Sequence, residues 1–200
     1  MKRKILAARE DLVNQVSEIA KRRGVTLFWV VNEALEHVIK LDRAGAGLSD
    51  AAEEYSLFGA AKKMGFVLVP ESLLYEMMDM MYRENKGWVT EKWREMGEWL
   101  GKYYSLHDCE DKLERLKADL HGFFWNAKEF DLSRDGENAV LVRCVSPRFP
   151  MSYTVFLSVF LEGVLDKLGY TCVERHVANG FIHLKFKALS ERSEENEENV

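Results

Sequence analysis

Residues 10–41 read EDLVNQVSEIAKRRGVTLFWVVNEALEHVIKL, and the folding of this stretch decides the architecture of the first part of the chain. Leu12, Val16, Ile19 and Ala20 recur at helical spacing, which predicts an amphipathic helix over 9–23. The Arg22-Arg23-Gly24 that follows supplies a basic last turn and a glycine to close the helix. Thr26 is then placed to cap a second helix over 27–41, whose apolar residues Val30, Val31, Ala34, Leu35, Val38 and Ile39 cover more than one face. Upstream, KRKILAAR (2–9) predicts a short basic strand over about 3–8. Downstream, RAGAGLS (43–49) reads as a small-residue linker. About forty residues with two helices bury too little surface to fold alone without disulfides or metal. Two chains that interleave their helices and pair their first strands antiparallel solve the problem, so a homodimer is expected.

The charge is unevenly spread. The 200 residues carry a net −5, yet residues 1–25 hold seven Lys/Arg against three acids, a surplus of +4 that leaves −9 for the rest. A basic end on an acidic body points to an anionic partner for that end. The apolar run behind the opening cations is only ILAA, against the roughly 7–15 residues of a signal peptide. The most apolar later stretch, YTVFLSVFLEGVLDKLG (153–169), is interrupted by Glu162 and Asp166 and is too short for a bilayer, so no membrane partner is expected. Cys109, Cys144 and Cys172 are few, odd in number and without a Cys-x-x-Cys pair, which suits a reduced cytoplasmic protein.

Strand, helix, Gly-Val-Thr turn and helix within some 43 residues resemble a ribbon-helix-helix DNA-binding domain, carried by EDLVNQVSEIAKRRGVTLFWVVNEAL. The resemblance covers about a fifth of the chain. It implies that paired strands enter the major groove and that the start of the second helix holds a phosphate. Residue by residue, Arg3, Ile5 and Ala7 become the groove-facing positions, and the amides around Thr26 and Leu27 the phosphate site. Lys2, Arg3 and Lys4 supply the charge. Ile5 and Ala7 depart from the family's polar pattern: they can touch a thymine methyl but make no hydrogen bond to a base. The alternative is a ribbon kept only for dimerisation, with its cations merely solvated.

In the larger remainder, residues 50–64 read as a helix, FVLV (66–69) as a short buried strand ended by Pro70, and ESLLYEMMDMMY (71–82) as a Met-rich helix. The methionines suit ordinary core filling, and also an adaptable binding surface. WVTEKWREMGEWLGKYY (88–104) is a helix with Gly97 and Gly101 one turn apart, a spacing that lets another helix or a ligand approach closely. CEDKLERLKADLHGFFWNAKEF (109–130) reads as a further helix, AVLVRCVSP (139–147) as a strand and 152–168 as an apolar helix. Two strands around Asn179-Gly180 follow. Residues 65–187, with GFVLVP, EKWREMGEWLG, FLSVFLEGVLDKLGY and VERHVANGFIHLKF, resemble vinyl-reductase-type sensor domains, relatives of the heme-nitric-oxide-binding fold. This second resemblance implies a site for a small apolar ligand among residues 75–160. The Tyr-x-Ser-x-Arg signature of the heme-binding relatives is missing, and His107 sits in SLHDCE between helices.

The Asn-Gly turn sets a register in which His176 faces His183 and Glu174 faces Lys185. Members of the sensor family often carry two cysteines at the positions of the two histidines, so zinc at His176 and His183 is one reading. The other is an exposed pair. A closed zinc site takes four ligands, and Cys172, on the same face, lies about 13 Å along the strand. Val173, Val177, Ile182, Leu184 and Phe186 are expected to face the core. No other cofactor is expected, and no phosphate loop, Gly-x-Ser-x-Gly or His-Glu-x-x-His occurs to suggest an enzyme.

The expectation is therefore an α+β chain. A ribbon-helix-helix occupies 1–43, a linker and connecting helix 44–64, a helix-rich domain with a small antiparallel sheet 65–188, and a disordered acidic tail 189–200. Its partners are DNA, a second copy and a small apolar ligand, and its role is transcription regulation.

Overall fold

The computed structural model describes residues 4–106, 110–136 and 138–189. Lys2 and Arg3, His107 and Cys109, and the acidic run 190–200 lie outside the described residues. The chain divides into two compact units, Met1–Ala60 and Ala61–Val200.

The first unit is built from helices. α1 (Glu10–Arg23) opens with Glu10 and Asp11 and closes with Lys21, Arg22 and Arg23, an arrangement that complements the helix dipole at both ends. Gly24 takes the left-handed conformation at φ 66°, its N–H bonds to the Lys21 carbonyl, and Val25 N–H bonds to that of Ala20. α2 (Leu27–Arg43) follows, with the Thr26 hydroxyl accepting the Trp29 N–H at 3.2 Å. Both helices and the turn between them are as the sequence predicts. The strand expected over 3–8 is not formed among the described residues, since 4–9 have no regular structure. A lone strand leaves its N–H and C=O groups without partners, and among the described residues no second strand pairs with that segment. α3 (Leu48–Lys63) runs across the boundary between the units and has no buried residue.

The second unit is α+β. α4 (Glu71–Glu84), α5 (Lys86–Ser105) and α6 (Lys112–Phe123) precede a hairpin of β1 (Glu129–Arg134) and β2 (Ala139–Val145). α7 (Met151–Asp166) and a second hairpin of β3 (Tyr170–Ala178) and β4 (Phe181–Ala188) complete it. The sheet is antiparallel with order β1-β2-β4-β3. Leu132, Val140, Val142, Cys144, Ile182, Leu184 and Phe186 lie on one face and are buried with side chains of α5, α6 and α7. Eleven of the sixteen residues of α7 are buried, which makes it the central helix of the unit. Among the described residues no helix is long and apolar enough to cross a membrane.

The glycines of α5 serve close packing against another helix. A Cβ on Gly97 would lie 2.1 Å from the Phe160 carbonyl oxygen, and one on Gly101 2.3 Å from that of Val164. From the other side, a Cβ on Gly163 would lie 2.6 Å from the Arg94 carbonyl oxygen. Three glycines thus let the two backbones touch, and the stability lost by placing glycine in a helix is offset by that contact.

Two expectations are corrected here. FVLV is not a buried strand: residues 66–70 have no regular structure, and Val67 and Leu68 are strongly exposed. Four apolar residues between Gly65 and Pro70 satisfy the composition of a strand, but no neighbouring strand pairs with them. The helix expected over 109–130 ends at Phe123, and Glu129–Arg134 forms β1 instead. The alternation of Phe130 and Leu132 facing the Val142 side, with Asp135-Gly136 at the turn, carries that hairpin.

Candidate functional site

In the first unit, Lys4, Ile5 and Ala7 are exposed, Ile5 completely. Thr26 and Leu27 stand where α2 begins, and α2 has no acid in its first turn. Its amino-terminal end therefore keeps its positive character, with the Thr26 hydroxyl accepting the Trp29 N–H. The Arg23 guanidinium lies 5.0 Å above the Trp29 ring and pairs with Glu33 at 2.9 Å, which fixes the turn against the helix. Arg9 holds Asp11 through two bonds, at 3.0 and 2.5 Å, and this contact keeps the Asp11 carboxyl below its ordinary value. Of the DNA-contact residues named from the sequence, the structure groups Thr26 and Leu27 at one helix end. Lys4, Ile5 and Ala7 lie on the irregular segment before α1.

Only Ala20 is buried in α1, and no residue of α2 is. Leu12, Val31, Leu35, Val38 and Ile39 are all exposed. Among the described residues nothing covers this apolar surface on the two helices.

In the second unit the hairpin register is as expected at its turn: Ala178 faces Phe181, Val177 faces Ile182, and His176 faces His183. The two imidazole rings are 6.0 Å apart, His183 stacks on Phe181, and His176 Nε2 lies 2.9 Å from Glu174 Oε1. Among the described residues no three His, Cys, Asp or Glu side chains are placed to hold a metal ion. Further along β3 a bulge falls between Cys172 and Glu174, so Cys172 faces Phe186 and packs on the core. Cys172 is therefore not on the histidine face, and Val173, expected in the core, is half exposed. The alternation rule breaks because one extra residue changes the parity of everything before it.

The aromatic residues between 75 and 160 converge. Tyr153 is within 4.8 Å of Phe149, 5.1 Å of Tyr75 and 5.7 Å of Trp93, and Phe156 joins Trp93 and Tyr82. One end of this cluster is polar: the Tyr75 hydroxyl donates to Glu71 at 2.6 Å and accepts from Asn126, while Arg148 pairs with Glu71 at 3.1 Å. Burial raises the Tyr153 phenol to about 12, and burial together with the Glu71 carboxylate raises that of Tyr75. Both therefore stay neutral hydrogen-bonding groups. This polar end escaped the sequence reading, because Glu71 and Tyr75 are close in sequence but Asn126 and Arg148 are not.

No protein-family model matches the sequence, and no curated protein matches it.

Proposed function

We propose that the chain is a DNA-binding transcriptional regulator of the cytoplasm, a ribbon-helix-helix homodimer joined to a domain that senses a small apolar molecule. The observation that carries this reading is the helix–Gly24–Thr26–helix unit. It buries one residue, leaves the apolar side of α2 open to a second copy, and begins with a basic arm. In the dimer the arms pair, Lys2, Arg3 and Lys4 meet phosphates, and the amides at Thr26 and Leu27 hold a phosphate at the start of α2. Ile5 and Ala7 offer bases only apolar contact, so affinity rests on charge and discrimination is weak. The aromatic rings around Tyr153 pack on one another, so a ligand there would have to part them. The ligand role rests on the resemblance to sensor domains.

The test is binding of labelled DNA from the region upstream of the coding sequence, against scrambled DNA, across a salt series. Binding that falls steeply with salt and disappears when Lys2, Arg3 and Lys4 are changed to Ala is the expected result. Absence of binding at low salt, from a chain confirmed dimeric, favours the second reading. In that reading the first unit serves only dimerisation, for which Ile5 and Ala7 speak.

A further inference from the structure

The second unit has an unpartnered apolar surface of its own, and we propose that it is a self-association face: the exposed run Val67–Val69 and the outer stripe of α4 pair with the same elements of a second copy. α4 is apolar on two sides. Leu74, Tyr75 and Met78 pack on the core. Leu73, Met77 and Met80 recur one turn apart on another side and are each nearly half exposed. A helix that has met one core has no use for a second apolar stripe in water. The chain enters this helix through Val67 and Leu68, exposed by 80% and 72%, followed by Val69 at 44%.

The size fits a dimer. These six side chains present on the order of 550 Å² of apolar area, what a standard interface of about 800 Å² per partner needs when about 65% of it is apolar. The run 66–70 contains no charge, so a two-fold axis brings no like charges together there, and on α4 the acid nearest the axis is the exposed Glu76. Antiparallel pairing of α4 with its copy sets Met77 near the axis and Leu73 of one chain beside Met80 of the other. The choice of a second copy rests in part on the proposed function, since a dimer held by the first units supplies a second copy of this face at high effective concentration.

The test uses the full chain and measures molecular mass by sedimentation across a dilution series. Leu35→Glu with Val38→Glu disables the apolar side of α2, and Met77→Glu places like charges at the proposed axis. Each variant alone is expected to remain dimeric with dissociation at least about tenfold easier, as for loss of a central interface residue, and the triple variant is expected to be monomeric. If Met77→Glu alone gives a monomer while the α2 variant stays dimeric, this face holds and the pairing of the first units fails. A short bismaleimide cross-link in a Met77→Cys chain carrying Leu35→Glu and Val38→Glu provides a readout independent of folding defects in Met77→Glu. Cross-linked dimer above the background of the native cysteines and of a Trp88→Cys control is expected. A monomer without that cross-link overturns the proposal and leaves the face to another partner.

Discussion

Two helix pairs in this molecule meet in opposite ways. α5 and α7 approach until a single methyl on Gly97, Gly101 or Gly163 would strike backbone oxygen, and Leu100, Phe156, Leu157 and Leu161 are buried on the same helices. α1 and α2 bury Ala20 alone and leave Leu35, Val38 and Ile39 in water. Their apolar residues are of the same kinds and recur with the same period. The difference lies in where the complement is: for α5 it is sixty to seventy residues further along the same chain, and for α2 it is not found among the described residues. So small a helical unit buries little core of its own, and its exposed apolar pattern is what the proposed pairing with a second copy would cover.

The largest effect expected from this contrast is at Gly97. Gly97→Ala puts a Cβ 2.1 Å from the Phe160 carbonyl oxygen, and backbone cannot step aside as a flexible side chain can. Overpacking of this kind costs about 3 kcal/mol, enough to lower the melting temperature of the second unit by roughly 10 °C in a thermal scan. A melt within a degree or two of the parent would show that the two helices are free to move apart.

Leu35→Ala comes next. Taken from an exposed site in a lone chain, this truncation costs at most about 0.5 kcal/mol. Buried by a second copy, it costs about 2 kcal/mol or more per chain. The expected outcome is a loss of helicity, followed by circular dichroism, that grows as the protein is diluted, while the parent loses it only at lower concentration. A small effect independent of concentration would place α2 in water and break the comparison. Thr26→Ala is a smaller change, removing the cap on Trp29 N–H at a cost of about 1 kcal/mol. If the proposed phosphate site is right, the same change is expected to weaken DNA binding only modestly, because the backbone at the start of α2 is unchanged.

Legibility followed the same division. The Asn179-Gly180 hairpin was readable residue by residue as far as Glu174–Lys185, because a two-residue turn fixes which side chains face each other. Beyond it the bulge at Val173 is set by how β3 meets the core, which local sequence does not state. Gly97 and Gly101 announced a close neighbour without naming α7. FVLV had a strand's composition, but a strand exists only with a partner, and pairing is a property of the fold. β1 was lost because residues 109–130 read as one helix, although Asp135-Gly136 marks the turn that separates it from β2. In the first unit, both helices and their caps were legible from Gly24 and Thr26, since capping is local chemistry.

The smallest effect tests whether local capping or long-range charge holds the edge of the sheet. Asp111 caps α6 by accepting the N–H groups of Leu113 and Glu114 at 3.0 and 3.1 Å, and its carboxylate also meets Arg134, at the end of β1, at 2.7 Å. These contacts, the Glu114 amide first and the Arg134 guanidinium next, hold the Asp111 carboxyl below its ordinary value. A carboxyl depressed by folding contributes stability above its unfolded value, and that contribution disappears as pH falls through the folded value. Asp111→Asn keeps an amide oxygen for the cap and removes the charge facing Arg134. At neutral pH the cost is then a few tenths of a kcal/mol, the worth of an exposed ion pair. The parent's advantage should vanish in denaturant titrations below the ordinary aspartate range. An advantage that persisted there would assign the contact to hydrogen-bond geometry rather than charge, and α6 would be held by its cap alone.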